Sequence, residues 1–86
     1  MKVDFENYGV PLHLQPGLRG FIEQHIEPGG FLTAVLTNDL KEACSRADEV
    51  SKHSLWSIVH FLWNEAPSAS WGSVEKVESW LQMREL

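Results

Sequence analysis

"FLTAVLTNDLKEACSRAD", residues 31–48, carries the apolar spacing of a helix and, in its middle, three weak helix formers in a row: Thr37, Asn38 and Asp39. On a helical wheel begun at Leu32, the residues Val35, Leu36, Leu40, Ala43 and Ala47 share one apolar arc. Read as one continuous helix over residues 31–46, the stretch turns Thr37 and Asn38 outward. It points Asp39 into the middle of the arc, about 340° round from Leu32. A carboxylate there needs a partner, because an unpaired buried charge is very costly. The partner expected is Arg19, which comes level with Asp39 if residues 28–30 turn the chain into an antiparallel hairpin. Loop amides bonded to the carboxylate, or a ligand facing it, are the alternatives.

Helical spacing continues on both sides. Leu14, Leu18, Phe21, Ile22 and Ile26 form the stripe of a helix that Pro16-Gly17 opens and Glu27-Pro28-Gly29-Gly30 breaks. His25 falls inside this stripe, where a histidine is expected to be packed and bonded to a carbonyl or carboxylate. A third helix is expected over residues 49–66, capped by Asp48 and stopped before Pro67. A fourth is expected over residues 74–84, capped by Ser73. The third helix is apolar nearly all round. Leu55, Ile58, Val59, Leu62 and Ala66 make one face, Trp56 and Trp63 flank it, and Val50 and Phe61 lie toward the other side. Its polar strip, His53, Ser57, His60 and Asn64, is either a solvated face or the lining of a groove walled by the two tryptophans. No stretch shows the sustained alternation of a strand. The expected architecture is all-α: one domain over residues 1–86, a compact bundle of about four short helices, with residues 1–10 as an extended arm.

Composition narrows the functions. Seven Lys and Arg against twelve Asp and Glu leave a formal net charge of −5, and the basic residues are scattered. Duplex binding draws on neutralised phosphates, so direct nucleic-acid binding is not expected. No apolar run approaches a membrane span, and "MKVDFENYGVP" has no leader-like apolar region. With Cys44 the lone cysteine, a reducing cytoplasm is the expected setting. Four Trp, four Phe and one Tyr are many rings for 86 residues, so some should line a pocket or a subunit contact. A homo-oligomer is expected on that ground.

No motif names a reaction. Phosphate-cradling glycine loops are absent from the sequence and the acidic residues are spread out. His53 and His60 stand about 10.5 Å apart along a helix, too far to share a metal ion. Cys44 lies on the outer side of its helix with no helix N-terminus beside it to activate it. The expectation is therefore a non-enzyme with no catalytic residue, no metal and no cofactor. The loop Ser68-Ala69-Ser70-Trp71-Gly72-Ser73 reads in two ways. Its amides, hydroxyls and indole suit an anionic, ring-bearing ligand such as a nucleotide; equally, Trp71 can plug the core while Gly72-Ser73 caps the next helix.

"PGGFLTAVLTNDLKEACSRAD" followed by "NEAPSASWGSVEKVESW" resembles a group of small proteins encoded by tailed phages and prophages, over about Val10 to Trp80. The pieces that carry the resemblance are Pro28-Gly29, Phe31-Leu32, Asn38-Asp39-Leu40, Arg46-Ala47-Asp48, Ala66-Pro67 and Trp71-Gly72-Ser73. The chain departs from that pattern with Gly30 in place of a capping Ser, and with Ser70 where Cys is common. The resemblance implies a phage accessory protein acting in the cytoplasm of an infected bacterium, directed at host defence. Joined to the residues above, it yields three expectations. The first is sequestration of a small nucleotide-like ligand by Asn38, Asp39, Trp56, His60, Trp63, Asn64, Trp71, Gly72 and Ser73, with Arg19 holding Asp39. The second is occlusion of a host protein. The third is a role in phage structure or assembly.

Overall fold

The computed structural model describes residues 5–85, the last by its backbone alone. Every regular element among them is helical: α1 is Gln15–Gln24, α2 Gly30–Leu36, α3 Leu40–Arg46, α4 Glu49–His53, α5 Leu55–Glu65 and α6 Val74–Gln82. Short 3-10 turns at Glu6–Tyr8, Leu12–Leu14 and Met83–Glu85 complete the set. The helices gather into one globule. Its Cα radius of gyration is 11.8 Å, where a compact chain of this length has about 12 Å.

Six helices stand where four are expected, because two of the expected helices are each cut by their own capping residues. Thr37, Asn38 and Asp39 end α2 and begin α3. The Thr37 hydroxyl donates to the Thr33 carbonyl at 2.9 Å. Asn38 takes the left-handed conformation at φ 64°. The amides of Asn38 and Asp39 return to the carbonyls of Val35 and Ala34 at 3.1 and 2.8 Å, which closes the helix end. Asp39 then accepts the Glu42 amide at 3.2 Å and so caps α3. It is exposed, not turned inward, so it needs no buried counter-charge. Arg19 accordingly pairs elsewhere: it lies 3.8 Å from Glu23 and 5.1 Å from the centre of the Phe5 ring. The expected Arg19–Asp39 pair is not formed. The second cut is at Ser54, which separates α4 from α5 at φ −111°, ψ 6°.

Of the other boundaries, that of α1 comes early: it ends at Gln24 with His25 left-handed. This leaves Ile26 of the expected stripe outside the helix and 37% exposed. The remaining ones fall close to where the sequence places them. Asp48 caps α4 through the Ser51 amide at 2.7 Å. Ala66 is extended before Pro67, as a residue preceding proline must be. Ser73 accepts the Lys76 amide at 3.2 Å and caps α6.

Leu18, Phe21, Leu36, Ile58, Phe61 and Leu62 are the centre of the core, each with no residual exposure. The face that α5 buries therefore includes Phe61 and excludes Val59, the reverse of the expected assignment. The reason is the N-terminal segment, which is no extended arm over residues 5–10. Phe5 and Val10 are buried, and the Phe5 ring sits 4.9 Å from that of Phe61. Tyr8 adds an edge contact to Phe61 and a hydrogen bond of 3.0 Å to Glu65. Residues 1–4 of the expected arm lie outside the described residues.

Candidate functional site

A groove of about 530 Å³ opens where the outer face of α5 meets residues 66–72 and the first turn of α6. Trp63 and Trp71 are its rings, Val59 and Ala66 its apolar lining, and Asn38 and Lys76 two of its polar groups; Ser68 and Gly72 complete it. Local chemistry builds the wall carrying Trp71. Pro67 cannot continue α5, and Ser70, fully buried, donates its hydroxyl to the Pro67 carbonyl at 2.6 Å. The turn this makes delivers Trp71 half-buried against the core. Gly72 follows at φ 110°, a conformation open to glycine, and its amide donates to the Leu36 carbonyl at 2.7 Å. That bond fastens the loop to the end of α2, two residues before Asn38.

Two polar side chains of the groove are unspent. Arg19, Arg46 and Lys52 each pair with a carboxylate one turn away. Lys76 makes no ion pair among the described residues, and the Asn38 side chain makes no hydrogen bond among them. A cation and an amide thus line the same groove as two indoles.

Of the residues expected to bind a ligand, the structure brings Asn38, Trp63, Trp71 and Gly72 to this groove. Asp39 lines the adjoining hollow with Leu40, Leu55 and Val59, which shares Asn38 with the groove. Trp56 and His60 are elsewhere: their rings stack at 4.5 Å, and Tyr8 meets His60 at 5.3 Å. Asn64 bonds back to the His60 carbonyl at 2.9 Å. The Gly72 amide and the Ser73 hydroxyl are already used, the one on Leu36 and the other on Lys76, so they do not await a phosphate. Sequence reasoning does not find Val59, Ala66 and Lys76, and names Ser68 only as part of the candidate loop. Lys76 left a signal, three residues after the cap of a helix whose leading loop carries Trp71. Val59 left none, since its exposure depends on the N-terminal segment claiming Phe61.

Two further constellations are structural. Ser51, His13 and Asp48 bring together the residue types of a hydrolytic triad. However, Ser51 Oγ at 3.4 Å and Asp48 Oδ2 at 3.1 Å both meet the same His13 nitrogen, Nε2. A triad needs the serine and the carboxylate on opposite nitrogens. The cluster instead ties α4 to the turn at Leu12–Leu14. It also holds the Asp48 carboxyl below its usual range, chiefly through the Ser51 amide, then the Ser51 hydroxyl, with His13 adding attraction. His25 caps α1 at φ 57°, lies 4.3 Å from the Trp80 ring and meets the Trp80 carbonyl through Nδ1 at 2.9 Å. That is the packed, carbonyl-bonded state its place in the stripe implies.

Among the described residues no three His, Cys, Asp or Glu gather to hold a metal ion, and no helix is long and apolar enough to cross a membrane. Comparison with protein-family models, with curated proteins and with solved structures finds no match to this chain, so the groove is interpreted from its own residues.

Proposed function

We propose that this chain is a non-catalytic binding protein that sequesters a small nucleotide-like ligand, a planar ring bearing an anionic group. The observation that carries the reading is the groove, where two indoles and an apolar lining face an unpaired ammonium and a free side-chain amide. Rings supply contact area, Lys76 offers charge to a phosphate, and Asn38 offers both a donor and an acceptor to a base edge. A volume of about 530 Å³ suits one such ligand. The resemblance to tailed-phage proteins supplies the setting: the cytoplasm of an infected bacterium, where removing a nucleotide signal counters host defence.

Titration of the full chain with a panel of mono- and dinucleotides, followed by calorimetry and indole fluorescence, tests this. Binding is expected with quenching, and Trp71→Ala should weaken it by about 1–3 kcal/mol, the worth of one stacked ring. Lys76→Glu should weaken phosphorylated ligands and leave the parent nucleosides nearly unaffected. No heat with any member of the panel, in a folded protein, would overturn the reading. A second reading, occlusion of a host protein, is favoured by one observation: Trp56 and Trp63 are 72% and 79% exposed, as anchor residues of an interface are before docking.

A further inference from the structure

The two exposed tryptophans of α5 are placed symmetrically about its middle. Trp56 and Trp63 are equidistant from the Val59–His60 peptide bond, and Val59 and His60 both reach the surface between them. Ile58, Phe61 and Leu62 are buried on the opposite side. The pattern W-x-x-V-H-x-x-W therefore presents two large rings about 10.5 Å apart along the helix, with a smaller pair midway. A contact between two identical copies related by a two-fold axis can use this arrangement directly, since residue i of one then meets residue j of the other and the reverse. If the axis passes between Val59 and His60, two antiparallel α5 helices set Trp56 of each copy against Trp63 of the other.

Charge and area favour the same occupant. The chain has a net charge of −5, so two copies repel wherever carboxylates face each other. Between Leu55 and Asn64 there is no charged residue, and Glu65 at the end of α5 is engaged by the Tyr8 hydroxyl at 3.0 Å. Leu40, 67% exposed, shares a hollow with Val59 and extends the apolar strip sideways. Two largely exposed indoles with Val59, Leu40 and part of Trp71 bring about 500–600 Å² per copy, or about 1,000–1,200 Å² in all. That clears the size a specific contact needs, about 1,000 Å², and indicates an association of modest strength. The Trp56 ring is already held by its stack on His60, which lowers the cost of ordering it.

We infer that a second copy of this chain docks on the outer face of α5, antiparallel across a two-fold axis between Val59 and His60. In that pairing Trp56 of the partner subunit packs on Trp63 at the mouth of the groove and gives the site a third ring. The dimer stands without the ligand; the completion of the site rests on the groove being a ligand site.

Sedimentation velocity of the full chain over a wide concentration range provides the first test. The wild type should pass from monomer to dimer, and Trp56→Glu, which sets a carboxylate against Trp63, should weaken association by about tenfold or more. A circular dichroism spectrum like the wild type's would show that the exposed site tolerates the change. Placement is tested in a Cys44→Ser background. A single cysteine at His60→Cys lies beside the axis and should form the disulfide-linked dimer on mild oxidation, whereas Glu75→Cys should not. A chain that stays monomeric at every concentration overturns the inference. So does a dimer that Trp56→Glu leaves intact or that His60→Cys fails to cross-link. Nucleotide titration separates the two proposals. A dimer that binds no nucleotide overturns the ligand reading and supports the dimer, while equal nucleotide affinity in wild type and Trp56→Glu overturns completion of the site by the partner.

Discussion

Asn38 and Asp39 carry opposite duties at adjacent positions. Asn38 ends one helix by accepting a left-handed backbone, and Asp39 begins the next by lending its carboxylate to an amide. The low helix propensity of the triplet is visible in the sequence, and it marks the right place. The inward Asp39 followed only from assuming that the helix continues through it, since a wheel loses its phase wherever a helix breaks. The two duties can be separated by substitution. Asn38→Gly should be neutral or slightly stabilising. Asn38→Ala should cost about 1 kcal/mol, because alanine lacks the short polar side chain that lets asparagine tolerate the left-handed region. Asp39→Ala should cost about 1 kcal/mol through loss of the cap. Urea unfolding of the three variants checks these values, and an Asn38→Ala protein as stable as wild type would contradict the turn described here.

For α5 the issue is which face points inward. Its residues are apolar on nearly every side, so periodicity alone cannot choose, and the choice falls to Phe5 and Tyr8, more than fifty positions away in the chain. Such a long-range decision is not legible in a local pattern. The same long-range packing leaves Val59 outside and so helps create the groove. Stability should follow the observed burial. Phe61→Ala should cost about 3–5 kcal/mol, as large buried rings do. Trp56→Ala, measured at a concentration where the chain is monomeric, should change stability by about 0.5 kcal/mol or less, as an exposed site does. Comparable losses at the two positions, measured by chemical unfolding, would mean that α5 is turned the other way.

At the scale of the whole molecule, the all-α class, most of the caps and the breaks at Pro28 and Pro67 were open to reading, because glycine, proline and short polar residues act locally. The breaks at residues 37–39 and at Ser54 instead read as helix in the sequence. The candidate site was open only in part. Trp63, Trp71, Asn38 and Gly72 converge, but Trp56 lies about two turns back along α5, stacked on His60, and neither ring lines the groove. Asp48 and His13 join α4 to the turn at Leu12–Leu14, and this tie has a pH signature. The Asp48 carboxyl is lowered in the folded state, so the folded chain holds that proton less tightly than the unfolded chain does. Its contribution to stability is thus complete above the ordinary carboxylate value of about 3.9, and it is lost as pH falls through the lower folded value. Asp48→Asn keeps a capping oxygen but has no charge to lose. Urea midpoints measured from about pH 6 down to about pH 2 should fall less steeply in this variant; parallel curves would remove Asp48 from the acid response.

If the groove binds as proposed, the bond from the Gly72 amide to the Leu36 carbonyl bears on how fast it takes up a ligand. It joins the strip of main chain that carries Trp71 to the strip that leads into Asn38, so the two walls stand at a set separation before anything enters. A slot already open has no gate to wait for, and arrival is limited by diffusion and orientation alone. Departure then decides how long a captured molecule stays. Under the proposed sequestration that residence time is the quantity that matters, and the bond between one glycine amide and one carbonyl holds together the strips of chain that carry Trp71 and lead into Asn38.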